Sequence, residues 1–280
     1  MTRNTLRVMW FVPPAVAVAA SWKEVEGFSV EARRTQSSDE QYEALKDGSV
    51  DAVVTAVDNV LHWNQRQGPK DFLIVAQVEA TTPLQLIGSP KFSTPSELRG
   101  ANILVDAPEN GFVIALRAIL KDHGLGFGDY SLTPVGGVVE RYSALVEGKG
   151  DATLLGPPFN SLAVNSGLAK IASVQDSFPD FPGQVVVIRR PASRDLDCLK
   201  TWLKALGRAV IVIPNNIERL RAALETQGMP EEAALSLIAS APKSLIPDVK
   251  GIDLVISHRL NLGLVGANSN YEQIVDCSFL

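Results

Sequence analysis

At 280 residues, with 46% apolar residues and a net charge of −5, the chain is long enough for two hydrophobic cores and too apolar to be disordered. Its 26 basic residues are scattered, with no Lys/Arg run or basic–aromatic stripe, which argues against a nucleic-acid binder. Two cysteines, Cys198 and Cys277, lie outside any CxxC or CxxH context; they read as thiols rather than as a disulfide framework or a metal site.

The opening MTRNTLRVMWFVPPAVAVAA imitates a secretory leader. Pro13-Pro14 interrupts it, and Leu6–Phe11 is needed as a buried first strand. No signal peptide and no membrane span are therefore expected. The expected compartment is the cytoplasm for the chain as written, and the periplasm if only this version lacks a leader. Pro13-Pro14 opens a helix predicted through Val25, which Gly27 ends. Phe28–Arg33 alternates apolar and polar residues as a second strand. Ser37 or Ser38 caps a helix over Asp39–Lys46, Gly48 stops it, and Asp51–Ala56 is a third strand. The unit is βαβαβ.

A second such unit follows. Asn102–Asp106 is a strand, and Asn110 is the expected cap of the helix in GFVIALRAILKDHG, with Gly124 as its stop. Tyr130–Val135 is a strand, Val138–Val146 a helix ended by Gly148, and Asp151–Leu155 a strand. YEALKDGSVDA at 42–52 recurs as YSALVEGKGDA at 142–152, with six identities in eleven positions. The phrase marks the same place in each unit: second helix, glycine stop, third strand. Its aspartate is expected to bond the turn backbone.

Alternating strands and helices predict mostly parallel sheets, with ligands beyond the carboxyl ends of the strands. Val75–Ile87 reads as a first crossover between the two units and Gly183–Arg189 as the return, which together form a hinge. The tail is helical: Ser193 is the expected cap of a helix with a Leu196, Leu199, Trp202, Leu203 and Leu206 stripe. Pro214 and Pro230 open two more helices. These helices are expected on the first lobe, with Trp202 in its core.

SELRGANILVDAPENGFVIALRAILKDHGLGFGDYSLTPVGGVVERYSALVEGKGDATLLGPPF, residues 96–159, resembles the NMT1/SsuA/TauA-like branch of the type II periplasmic-binding-protein superfamily. GFSVEARRTQSSDEQYEALKDGSVDAVV and the closing YEQIVDCSFL are similar to other stretches of that family. The resemblance implies an α/β fold of two βαβαβ lobes joined by two crossover strands, with C-terminal helices on lobe one. Lobe one would comprise 1–82 plus 187–280, and lobe two 83–186. It implies a monomeric substrate-binding component of an ABC importer, of the sulfonate, nitrate or pyrimidine class, that closes on a small organic solute. No cofactor and no metal is expected. The second reading is a cytoplasmic enzyme of the same fold, such as a decarboxylase, desulfinase or biosynthetic protein. A ligand-sensing module is a third.

Strand ends and the loops after them supply the candidate ligand contacts: Trp10 and Phe11; Thr55, Asp58 and Asn59; Thr81 and Thr82; Asn110, Gly111 and Phe112; Pro157 and Phe159. Trp10, Phe112 and Phe159 would form an aromatic wall suited to a flat ligand. Inward-facing Asp58, Asp106 or Glu109 would select an amine, and two carboxylates near the helix start work against an anion. His62, His123 and His258 lie outside any metal spacing, and only His62 follows a cleft loop.

Overall fold

The computed structural model describes residues 4–190 and 196–280; the expected Ser193 cap lies outside the described residues. Apolar and β-branched segments form β1 (Thr5–Trp10) and β3 (Ala52–Ala56), and the more polar SVEARR forms β2 (Ser29–Arg34). Between them run α1 (Ala15–Ala20) and α2 (Ser38–Asp47), with α3 (Val57–Trp63) after β3. β4 (Phe72–Gln77) leads to β5 (Gln85–Gly88). The second unit is β6 (Asn102–Val105), α4 (Val113–Asp122), β7 (Ser131–Pro134), α5 (Val138–Val146) and β8 (Ala152–Leu155). It continues through α6 (Phe159–Asn165), β9 (Ala169–Ser173) and α7 (Val174–Ser177) to β10 (Gln184–Arg189). The tail holds α8 (Asp197–Val212), α9 (Ile217–Thr226), α10 (Glu231–Ala239), α11 (Val249–Asn261) and α12 (Tyr271–Ile274).

Two five-stranded sheets result, ordered β2-β1-β3-β10-β4 and β7-β6-β8-β5-β9. β1, β2 and β3 are mutually parallel, as are β6, β7 and β8. The sheets are mixed rather than mostly parallel, because each receives one antiparallel strand at the same place: β10 beside β3, and β5 beside β8. These strands lie at the ends of the two connections, so the chain enters and leaves the second unit through matched positions.

The repeated phrase has a structural cause that differs in one respect from the expected turn bond. Asp51 accepts from the Arg7 backbone N–H at 2.9 Å, and Asp151 accepts from that of Asn102 at 2.8 Å. Each aspartate thus ties the start of a third strand to the first strand beside it. Gly48 and Gly148 end their helices at φ 77° and 72°, a conformation only glycine adopts freely.

Two local expectations shift. α1 stops at Ala20 rather than near Val25, where the Ser21 hydroxyl turns back to the Val18 carbonyl at 2.8 Å. β2 is exposed along its whole length, as an edge strand whose Glu31, Arg33 and Arg34 discourage pairing with another chain. α8, α9 and α10 cover the outer face of the first sheet, with Trp202 only 3% exposed among Leu203, Leu206 and Leu220. α11 packs against both α3 and α4, and so bridges the two units.

Candidate functional site

The carboxyl ends of β1 and β3 face those of β6 and β8 across a cavity of about 100 Å³. Phe11, Leu104, Val113, Leu116 and Leu154 supply apolar wall. Polar groups enter at separate points: Thr55 and Asn59 from the first unit, Asp106, Asn110 and Arg141 from the second, Glu79, Thr82 and Gln184 from the connections.

Beside the cavity the units are stitched together. The Thr55 hydroxyl accepts from Asn59 Nδ2 at 2.6 Å, and Asn59 Oδ1 accepts from Asn110 Nδ2 at 2.7 Å. Asn110 therefore spends its amide across the cleft, and α4 begins after Phe112 without a side-chain cap. The Ser38 backbone N–H donates to Asp106 at 3.1 Å. Gly111, at φ 82°, donates its N–H to Asp58 at 2.9 Å, and an added Cβ there would sit 3.3 Å from Asn59 Oδ1. Asp58 is held in turn by Arg259 of α11, whose Nη1 lies 2.7 Å from both carboxylate oxygens.

The connections carry a second network. Glu79 accepts from the Thr82 hydroxyl at 2.5 Å and from Gln184 Nε2 at 2.9 Å, so it joins the outgoing and returning chains. Thr81 accepts from Gln175 Nε2 at 2.9 Å.

Of the candidates named from sequence, Phe11, Thr55, Asn59, Thr82, Asn110, Gly111, Phe112 and Pro157 line the cavity. Four lie off it. Trp10 sits on the opposite face of its strand from the cavity and packs with the α1 and α8 cluster. Asp58 is buried in its pair with Arg259. Thr81 is engaged with Gln175, and the Phe159 ring packs at a tilt against Tyr142, 5.4 Å between centroids. Glu109 is exposed and Asp106 faces inward. Sequence reading missed Arg141, Glu79 and Gln184, which sit in α5, in the outgoing connection and at the start of β10 rather than at the carboxyl ends of the parallel strands.

The three histidines lie apart. Burial and the neighbouring Arg66 and Arg259 push His62 down to about 4. His123 Nδ1 meets the Ile119 carbonyl at 2.8 Å, and His258 packs against Phe178 at 4.4 Å. Burial pushes Asp58 up to about 6 against the pull of Arg259. A raised carboxyl contributes stability that is fully present below its unfolded value of about 3.9 and is lost as pH rises through about 6. His62, lowered, has the opposite slope: its contribution is present above about 6.5 and is lost as pH falls through about 4. Comparing wild type with Asp58→Asn cancels the histidine. The stability advantage of wild type over Asp58→Asn is expected to shrink by about 2–3 kcal/mol between pH 4 and pH 7.5. Urea unfolding at each pH measures it, and a flat difference would refute the assignment.

No protein-family model matches the chain, and no curated protein matches it in sequence. Solved structures do match in shape. The periplasmic nitrate-binding protein NrtA from Synechocystis PCC 6803 superposes with a TM-score of 0.80 at 12% identity, covering 99% of this chain and 87% of its own. The chain has the periplasmic-binding-protein fold. Two other proteins of that fold agree. The ligand-binding component of an ABC-type import system from Staphylococcus aureus gives a TM-score of 0.79 at 14% identity, covering 99% of this chain and 98% of its own. The alkanesulfonate-binding protein SsuA from Xanthomonas axonopodis pv. citri, bound to MOPS, gives 0.76 at 17%, with 95% of each chain covered. The paired sheets and the antiparallel strand each receives from a connection are the features of this chain that build the fold.

Proposed function

We propose that this chain binds a small organic solute between its lobes by hinge closure and serves as the substrate-binding component of an ABC importer, delivering its ligand to a membrane permease. The observation that carries the reading is the cavity at the facing strand ends, walled by both sheets and flanked by hydrogen bonds that cross from one lobe to the other. Asn59, Asn110 and Gly111 belong at once to the cavity wall and to the inter-lobe bonds, so a solute that completes the wall favours the closed arrangement. Thr55, Thr82, Phe11, Phe112 and Pro157 complete the proposed contact set. The similar structures support this role through what they are: a nitrate-binding protein, an alkanesulfonate-binding protein and the ligand-binding component of an ABC-type import system with zinc bound.

A thermal-shift screen of small sulfonates, carboxylates, amines and pyrimidines tests the proposal. A true ligand at a hundredfold excess over its Kd is expected to add about 2.7 kcal/mol to stability. Small-angle scattering should show compaction on binding, and the recovered ligand should be unchanged. Chemical conversion of the hit would overturn the transport reading.

A further inference from the structure

The internal duplication provides a comparison within one molecule. Gln41 and Arg141 both immediately precede the repeated phrase, one on α2 and the other on α5. Gln41 is fully buried, and its Nε2 donates to the Val54 carbonyl of β3 at 2.9 Å. Arg141 makes the corresponding bond in the second lobe, from Nη1 to the Leu154 carbonyl of β8. Val54 and Leu154 are themselves equivalent, one hundred positions apart like the helix residues that reach them. A tether from second helix to third strand therefore needs only an amide, and the first lobe uses one.

In the second lobe the tether is an arginine, and most of its donors are left over. Arg141 lies deep in the protein and retains accessible surface because it faces the cavity. Its Nε is buried without a partner. Among the described residues the one hydrogen bond of its side chain is that from Nη1. Nε–H and one Nη2–H share the edge of the guanidinium plane that meets a carboxylate with two parallel bonds.

The nearby carboxyl groups do not use that edge. Glu140, on the same helix, gives Oε1 to Arg34 of the first lobe, and its Oε2 is buried without a hydrogen bond to Arg141. Asp106 accepts from the Ser38 backbone. Glu79 has both oxygens taken, by Thr82 and Gln184. Asp58 is paired with Arg259. An unpaired buried cation is costly, and an anionic group held by this edge would offset that cost.

We infer that Arg141 is the ligand anchor of the cleft and selects small organic monoanions, holding a carboxylate or sulfonate head while the apolar wall takes the body. The inference rests on the solute-binding reading and names the class of solute. It replaces the amine expected from inward carboxyl groups, since Asp58 is paired with Arg259, Asp106 accepts from the Ser38 backbone and Glu109 is exposed. Asp106 sits close enough to act on Arg141 electrostatically, which disfavours a second negative charge on the ligand.

The test uses four-carbon probes of one shape and different charge: butanoate, butane-1-sulfonate, butanamide and butylamine. Butanoate and butanesulfonate separate the two possible heads. Each is titrated into wild type and into Arg141→Gln by calorimetry. Glutamine is the first lobe's own solution to the tether, so Arg141→Gln keeps the bond to Leu154 and removes the surplus donors. At least one anion is expected to bind wild type, with affinity at least about tenfold above the amide and the amine, and to lose at least about tenfold in Arg141→Gln. The melting temperature without ligand should stay close to wild type. If Arg141→Gln fails to fold, the order of the four probes on wild type decides. Equal binding of charged and neutral probes, preference for butylamine, or undiminished anion binding by Arg141→Gln overturns the anchor while leaving a solute binder. The anchor also falls if no four-carbon probe binds wild type but another solute from the screen does. Silence of every solute overturns both readings.

Discussion

Asp58→Ala is expected to lose about 3–5 kcal/mol of stability at pH 7, measured by urea unfolding. The carboxylate is 1% exposed and its partner Arg259 is fully buried. Removing Asp58 leaves the guanidinium with neutral partners only, the carbonyls of Val265 and Glu109 and the His62 ring at 3.4 Å. It also frees the Gly111 N–H, which has no other partner near the cleft. One substitution therefore strips a buried cation and an inter-lobe bond together. The pair itself need not be a net source of stability, since burial outweighs Arg259 in setting the carboxyl's affinity for its proton. The double variant Asp58→Leu with Arg259→Met should accordingly recover most of the loss. If the single variant costs less than about 1 kcal/mol, the pair is not the bolt its burial implies.

Gly183→Ala is expected to cost about 1–3 kcal/mol and to weaken closure on any ligand. Gly183 stands where the returning connection crosses the outgoing one, with its N–H on the Ala80 carbonyl at 3.2 Å. An added Cβ would lie 2.6 Å from both the Cβ and the carbonyl oxygen of Glu79. Its φ is not the reason glycine is needed; the close approach of the other chain is. A methyl group forces the two connections apart, and Glu79 then cannot keep both Thr82 and Gln184. Calorimetry with the solute found in the screen, compared with wild type, reads the effect on closure. Unchanged stability and affinity would mean that the crossing yields without cost.

The order of strands and helices was legible because it depends on local signals. Glycines at 48, 124 and 148 stop helices through their positive φ. Ser37 caps α2 with a bond from the Glu40 N–H at 3.1 Å. The duplicated phrase pointed to two similar units, and both units hold the same strand order. The same local logic misread Asn110. Asn-Gly before an apolar helix reads as a cap, but the side chain is drawn across the cleft to Asn59 and Ser38. Trp10 and Phe11 are neighbours at the end of one strand, and only the second faces the cavity. Arg141 was hidden by its position on a helix with ordinary amphipathic spacing. The signal that finds it is its alignment with Gln41, one residue before the phrase that had already been matched.

The sequence by itself determined two βαβαβ units, the connections between them and a helical tail, because periodicity and turn chemistry act over a few residues. Only the tertiary structure decided which carboxylates line the cavity, that α11 bridges the lobes, and that an arginine of the cavity wall keeps unspent donors. Those outcomes depend on partners far apart along the chain, 53 positions between Asp58 and Gly111 and 201 between Asp58 and Arg259. A buried charge takes its role from whichever group folding brings beside it.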